Sequence, residues 1–191
     1  MISKLITAIS KKVSLTKEDI AKIDNSFDKL AISKKYTLKN EKSVSEHLYF
    51  IVSGYARIYH LDTDGNEITT VLSNKNNYIA SFLPFVNQIP SKDIIETITD
   101  CEVLSISYTK MKALIENSEN FKAYSVSIFE EAIQKTQHRA NDLATLNAEE
   151  RYVKLMSQEP KIIQNIPLNY IASYLGIAPE SLSRIRRKII S

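Results

Sequence analysis

Cysteine occurs once in 191 residues, at Cys101, and glycine and histidine three times each. One thiol cannot form an internal disulfide, a multi-cysteine zinc site or a cysteine-ligated iron–sulfur cluster, so Cys101 is expected to be a small buried hydrophobe. Gly54, Gly65 and Gly176 are too scattered to build a phosphate-cradling glycine-rich loop. His47, His60 and His138 have no metal-ligand spacing with one another or with Cys101, and no metal is expected. Long apolar runs are lacking too. Nothing reaches the roughly 18 residues a membrane-spanning helix needs, and Met1 to Ser10 lacks a signal peptide's apolar core, so a cytoplasmic location with no membrane partner is expected. Asp62 and Asp64 share a tight turn with Gly65, and neither paired carboxylates nor a nucleophile elbow stand out. No catalytic residue, and no enzyme, is predicted.

An excess of one charge is also missing from most of the chain. The 25 Lys+Arg against 22 Asp+Glu leave a formal charge of +3. Residues 1–146 hold 18 basic and 18 acidic residues, whereas residues 147–191 hold 7 and 4, so the whole surplus lies at the C-terminal end. Arg184, Arg186, Arg187 and Lys188 cluster there. Such local asymmetry points to a polyanion such as nucleic acid; the plainer alternative is a solvated basic tail. With 43% hydrophobic and 25% charged residues, the composition is neither that of a disordered chain nor that of a membrane protein.

What is present is patterned. Ser14 to Leu30 carries Leu15, Ile20, Ile23, Phe27 and Leu30 at mostly helical spacing and reads as a helix. From Ala31 to about Ile106, short runs rich in β-branched and aromatic residues alternate with turn signals, the all-β texture. Leu48 to His60 reads as a hairpin of two strands turning at Gly54. Asp62-Thr63-Asp64-Gly65-Asn66 then turns Glu67 to Leu72 back along Ala56 to His60. Strands are also expected over Ile94 to Ile98 and Glu102 to Ile106, and a compact barrel or roll closes so many short strands. A short helix is expected over Tyr108 to Ile115 and a long one over Glu119 to Leu146, spanning about 38 Å at about 1.5 Å per residue. Its stripe of Phe121, Tyr124, Ile128, Ala132 and Phe129 is either a packing face on its own roll or, the reading favoured by the helix length, a dimer seam centred on Tyr124, Ile128 and Ala132. Asn147 with Glu150 makes a capping box for the next helix, and Pro160 is expected to end that region.

Leu168 to Arg187 is the most informative stretch. A helix-turn-helix needs inward aliphatic residues, a small residue where the helices touch, and glycine in the turn. Ile171, Leu175, Ile177, Leu182 and Ile185 supply the first, Ala172 the second and Gly176 the third. Pro167 precedes the first helix and Pro179 sits in the first turn of the second. A plain helical hairpin would want the same core, but it would not need the outward row of Glu180, Ser181, Ser183, Arg184, Arg187 and Lys188. Arg184 suits guanine O6 and N7, Glu180 a cytosine amino group, and Arg187 and Lys188 phosphates.

The order of these parts resembles the Crp/Fnr family of bacterial transcription regulators. The likeness rests on Tyr49 to Tyr59, the Asp-Gly hairpin, Cys101 to Tyr108 and, most specifically, Ile171 to Ile185. It implies an α+β fold: a β-roll or jelly-roll sensor domain over 1–118, a dimerisation helix over 119–146, and a small all-α helix-turn-helix domain over 147–191 with no evident wing. It also implies a sequence-specific regulator that binds double-stranded DNA as a homodimer through Pro179, Glu180, Ser181, Ser183, Arg184, Arg187 and Lys188, with RNA polymerase a further partner. The effector pocket would lie at Tyr78, Ala80, Ser81, Phe82, Ser91 and Lys92. Cyclic-nucleotide binders of the family hold the ribose with a glutamate and the cyclic phosphate with an arginine, and here Ser81 and the Ser91–Lys92 pair stand in those places. High-affinity cAMP binding is therefore not expected, and the effector is left unidentified. The rival from another class is a ligand-sensing or interaction module of the same fold with weak or lost DNA binding.

Overall fold

The computed structural model describes residues 1–190. Two helices come first, α1 (Ile2–Ser10) and α2 (Lys17–Ser26). A reciprocal cap starts α2: the Asp19 N–H donates to Thr16 Oγ1 at 3.1 Å and the Thr16 N–H donates to the Asp19 carboxylate at 3.0 Å. The helix stops at Ser26, not Leu30. Phe27 takes extended backbone (φ −101°, ψ 126°), and Leu30 lies in the strand that follows. Apolar spacing alone did not reveal this break, because Phe27, buried at the end of the helix, and Leu30, exposed on the strand, continue the helical count.

Eight strands follow: β1 (Asp28–Ile32), β2 (Thr37–Lys39), β3 (His47–Ser53), β4 (Ala56–Leu61), β5 (Glu67–Ser73), β6 (Tyr78–Ile79), β7 (Ile94–Thr97) and β8 (Cys101–Ser107), with a short helix α3 (Phe82–Asn87) between β6 and β7. They form two antiparallel four-stranded sheets, ordered β1-β8-β3-β6 and β2-β7-β4-β5. The two runs about Gly54 are consequently not a hairpin. β3 and β4 belong to different sheets, and Gly54, at φ +94°, is the corner between them. A Cβ at this corner would lie 2.4 Å from the Asp100 carbonyl oxygen and 2.6 Å from Cys101 Sγ, so the site excludes any side chain twice over. The β4–β5 hairpin is as expected, with Leu61 opposite Glu67 and Ala56 opposite Ser73. The Asp62 carboxylate fixes its turn by accepting from the N–H groups of Asp64 and Asn66 at 2.9 and 2.8 Å.

Alternation along the strands sorts the side chains into three cores. Between the sheets, Tyr49, Ile51 and Val103 meet Ile58 and Ile95. On the outer face of the first sheet, Leu48, Phe50 and Leu104 pack under helices α1, α2, α4 (Tyr108–Asn117) and the first half of α5 (Glu119–Thr145), through Leu5, Ile23, Leu114 and Phe121. On the outer face of the second sheet, Tyr55, Leu72 and Ile98 join the core of α6 (Ala148–Gln158), α7 (Pro160–Asn165), α8 (Leu168–Leu175) and α9 (Pro179–Ile190). Pro160 thus opens a helix where only a stop was expected, in the first turn, where its missing N–H costs nothing. The 27 residues of α5 run about 40 Å, enough to link the two outer layers. Among the described residues, no helix is long and apolar enough to cross a membrane.

Candidate nucleic-acid interface and effector pocket

The turn between α8 and α9 is built on Gly176, which caps α8 at φ +68°. Its N–H donates to the Ser173 carbonyl at 3.1 Å, and the Ile177 N–H donates to that of Ala172 at 3.0 Å. Ile171, Ala172, Leu175 and Leu182 are buried, while Ile177 and Ile185 are half-buried against the same cluster. Leu182 under the helix leaves the other side of α9 outward: Pro179, Glu180, Ser183, Arg184, Arg187 and Lys188 are exposed, and Ser181 is half-buried. Lys188 already has a partner, its ammonium lying 2.7 Å from the Glu149 carboxylate on α6.

α8 also docks on the roll. The Thr69 N–H donates to Ser173 Oγ at 2.8 Å, and the Ser173 hydroxyl donates to the Glu67 carbonyl at 2.9 Å. Beside this pair sits Arg57, a fully buried guanidinium. It lies between two rings, 4.0 Å from the centre of Tyr59 and 3.7 Å from that of Tyr170. It donates to the Glu96 carboxylate at 3.1 and 3.2 Å and to Glu67 at 2.5 Å. Lys35 completes the group, reaching Glu96 at 3.3 Å and the Tyr170 hydroxyl. Burial works against the Lys35 charge, but Tyr170 and Glu96 together raise its pKa above the usual lysine value. Nothing in the sequence pattern singled out Arg57 or Tyr170.

The dimer stripe expected on α5 needs correction. Tyr124 and Ile128 are each 4% exposed and belong to the core of their own chain, with Ala132 half-buried beside them. Tyr124 and Ile128 face the roll and are not open to a second copy. A different row is open on the same helix: Val126 and Ile133 are 52% exposed and Leu143 is 37% exposed. With Thr136 and Ala140 they keep the alternating three- and four-residue spacing of a two-helix seam, whereas Phe129, in the same register, packs edge-on to Phe82 in the chain's own core. That alternation was readable in the sequence beside the stripe chosen.

β5 and β6 are edge strands on the same side of the roll, and α5 runs alongside them, leaving a cavity of about 1570 Å³. Tyr78, Ala80, Ser81 and Phe82 line it; Ser91 and Lys92 do not, although Asp93 does. The Ser91 loop is held elsewhere: the buried Lys39 ammonium on β2 donates to the carbonyls of Asn40, Ser91 and Asp93 at 3.0, 3.3 and 2.7 Å. Burial lowers the Lys39 pKa in consequence. Burial likewise pushes the Tyr78 and Tyr124 hydroxyls, 3.5 Å apart, above the usual tyrosine value. Two further wall residues had no sequence signal: Ser73, and Arg139 toward the C-terminal end of α5. Among the described residues, no cluster of three or more His, Cys, Asp or Glu side chains could hold a metal ion.

Residues 30–118 match the cyclic nucleotide-binding domain family. Similar curated proteins include the CRP-like protein Clp of Xanthomonas campestris pv. campestris, 22% identical over 157 residues that cover 74% of this chain and 68% of Clp. Another is the cAMP-activated global transcriptional regulator CRP of Salmonella typhimurium, 24% identical over 165 residues, covering 81% and 79% of the two chains. Among solved structures, FixK2 from Bradyrhizobium japonicum superposes with a TM-score of 0.74 at 16% identity, over 85% of this chain and 84% of that one. The c-di-GMP-responsive global regulator CLP of Xanthomonas campestris does so with a TM-score of 0.68 at 19% identity, over 91% of each chain. These structures share its fold.

Proposed function

We propose that this chain, which belongs to the Crp/Fnr family, is a cytoplasmic, sequence-specific transcription regulator rather than an enzyme, and binds double-stranded DNA as a homodimer. The observation that carries this reading is the exposed row on α9, backed by the buried Leu182. Placed in a major groove, Arg184 reads a guanine by a bidentate hydrogen bond and Glu180 accepts from a cytosine amino group. Arg187 and Lys188 meet phosphates, with Pro179, Ser181 and Ser183 at the helix start, and Lys188 exchanges Glu149 for DNA. The open row of Val126, Ile133 and Ala140 on α5 is the seam with the second copy, whose two-fold axis sets the half-sites about one helical turn apart. RNA polymerase is a further partner of such a regulator.

The roll is proposed to serve an effector other than a tightly bound cyclic nucleotide. Ser81 offers no carboxylate for a ribose, Ser91 and Lys92 lie off the cavity wall, and the space between the sheets is filled by Ile51, Ile58 and Ile95.

Duplex binding across a salt titration tests the reading. Binding to a selected palindrome should survive moderate salt, whereas random duplex should be released by about 200 mM. Arg184→Ala should erase the preference between the two, and Lys188→Ala should weaken both alike and lower the salt slope by about one. Equal losses on both duplexes for Arg184→Ala, or no salt-resistant complex at all, would favour a sensor module whose helix-turn-helix is idle.

A further inference from the structure

We propose that the cavity at the open edge of the roll binds an elongated amphipathic anion, with its charged end at Arg139 and a hydroxyl or similar polar group at its far end beside Ser73 and Ser81. The inference rests on the effector role given to the roll above and is independent of DNA reading.

Three polar groups on this one wall have no partner. Ser73 and Ser81 are 4% and 3% exposed, and neither hydroxyl makes a hydrogen bond; nor does Nε of Arg139. A buried donor without an acceptor costs stability, more so on a charged group, and such groups are normally satisfied by something. A serine hydroxyl reaches a new partner by turning about χ1 alone.

Toward the C-terminal end of α5, the Arg139 guanidinium lies 5.0 Å from the centre of the Tyr174 ring but faces no carboxylate. Arg139 donates through Nη2 to the main-chain carbonyls of Thr69 at 3.2 Å and Tyr174 at 3.1 Å. Arg151, on the same wall, bonds the carbonyls of Leu175 at 3.0 Å and Leu146 at 2.6 Å. Neither arginine has a carboxylate partner among the described residues. Of the four carboxylates on the wall, Asp142 is taken by Lys154 at 2.7 Å, Glu159 by the Asn74 amide at 3.0 Å and Glu131 by Lys12, while Asp93 accepts from the Ser91 hydroxyl at 3.5 Å. Burial first, and the neighbouring Arg151 charge after it, lower the Arg139 pKa against the opposing pull of Tyr174, and an anion would relieve both.

The distance between the ends sets the shape. Arg139 is anchored at Thr69, and Ser73 stands four residues along the same strand, about 13 Å away at roughly 3.3 Å per residue. The wall between is largely apolar, with Val71, Leu72, Ile79, Phe82, Ile128 and Phe129. A straight-chain carboxylate spans such a gap, and one with a terminal hydroxyl meets both ends.

Titration calorimetry of the full chain with dodecanoate, 12-hydroxydodecanoate and dodecanol, each below its aggregation limit, tests this. Both acids should bind saturably at one site per chain, the hydroxylated one roughly three- to tenfold tighter, and dodecanol far more weakly. Arg139→Gln should weaken both acids by about tenfold or more, while Arg139→Lys, which keeps the charge, should retain most of the affinity. Ser73→Ala with Ser81→Ala should abolish only the advantage of the terminal hydroxyl. Thermal melts of each variant establish that it is folded. Equal binding of alcohol and acid, indifference to Arg139→Gln in a folded variant, or no saturable binding would overturn the proposal. No DNA is present in these titrations, so their failure leaves the salt titration above to judge the DNA reading.

Discussion

Replacing Arg57 by methionine should be among the most damaging single changes in the roll. The side chain is fully buried, and its partner Glu96 keeps only 12% side-chain exposure, so Arg57→Met leaves a nearly buried carboxylate facing Lys35 alone. Breaking a buried ion pair from one side typically costs about 3–5 kcal/mol. The two ring contacts add about 0.5–2 kcal/mol each, and methionine restores part of the packing, so a net loss of about 3–5 kcal/mol is expected. Against the roughly 5–15 kcal/mol that holds such folds together, that is a large fraction. The chain has no tryptophan and 10 tyrosines, so urea unfolding can be followed by tyrosine fluorescence. Glu96→Gln should cost less. The double variant should be less destabilised than the sum of the two single ones, with about 1–3 kcal/mol of coupling. A loss below about 1 kcal/mol for Arg57→Met, or additive single effects, would refute the assignment of this arginine as the electrostatic centre of the joint between roll and helix-turn-helix.

Gly54→Ala places a Cβ 2.4 Å from the Asp100 carbonyl oxygen at a φ of +94°, and should cost at least about 2 kcal/mol in the same unfolding assay. The Asp19 carboxylate accepts from the Ser118 hydroxyl at 2.5 Å, the Asn120 amide at 2.8 Å and the Thr16 N–H, which holds it well below the usual carboxylate range. A depressed pKa gives stability that is fully present above the unfolded value of 3.8 and is lost as pH falls toward the folded one. The melting temperature of Asp19→Asn should therefore start lower at neutral pH and fall less steeply on acidification than that of the parent. On the proposed dimer seam, Ile133→Glu should give a monomer in light scattering at micromolar concentration, whereas Tyr124→Phe, inside the chain's own core, should leave assembly unchanged.

The helix-turn-helix was legible because its determinants are local. Ala172, Gly176 and the flanking aliphatics lie within a few turns of one another, and each has one steric reason to be where it is. The Asp62–Gly65 hairpin was legible for the same reason. Gly54 was read as a hairpin turn, but a hairpin turn and a corner between sheets ask the same thing of a glycine, and only the pairing of β3 with β8 and of β4 with β7 distinguishes them. On α5 two apolar rows share one helix, and which of them faces the roll depends on how Tyr124 and Ile128 meet Tyr78 and Phe50, contacts remote in sequence. The Arg57 cluster and the Arg139 end of the cavity were invisible for the same reason. Arg57 to Tyr170 and Arg139 to Thr69 join segments far apart in the chain, and each of those residues has an ordinary local pattern.

The core shared by the second sheet and α6–α9 bears on how freely this chain's parts can be exchanged. Ile98, 2% exposed, and Leu72 sit in the same hydrophobic cluster as Leu155, Ile171 and Leu182. Grafted onto an unrelated sensor, the last 45 residues would leave behind one wall of their own interior, together with the Arg57 that stacks on Tyr170. A working chimera must carry Tyr55, Arg57, Leu72 and Ile98 across as well. The unit of exchange is the reading head together with the face of the roll it rests on.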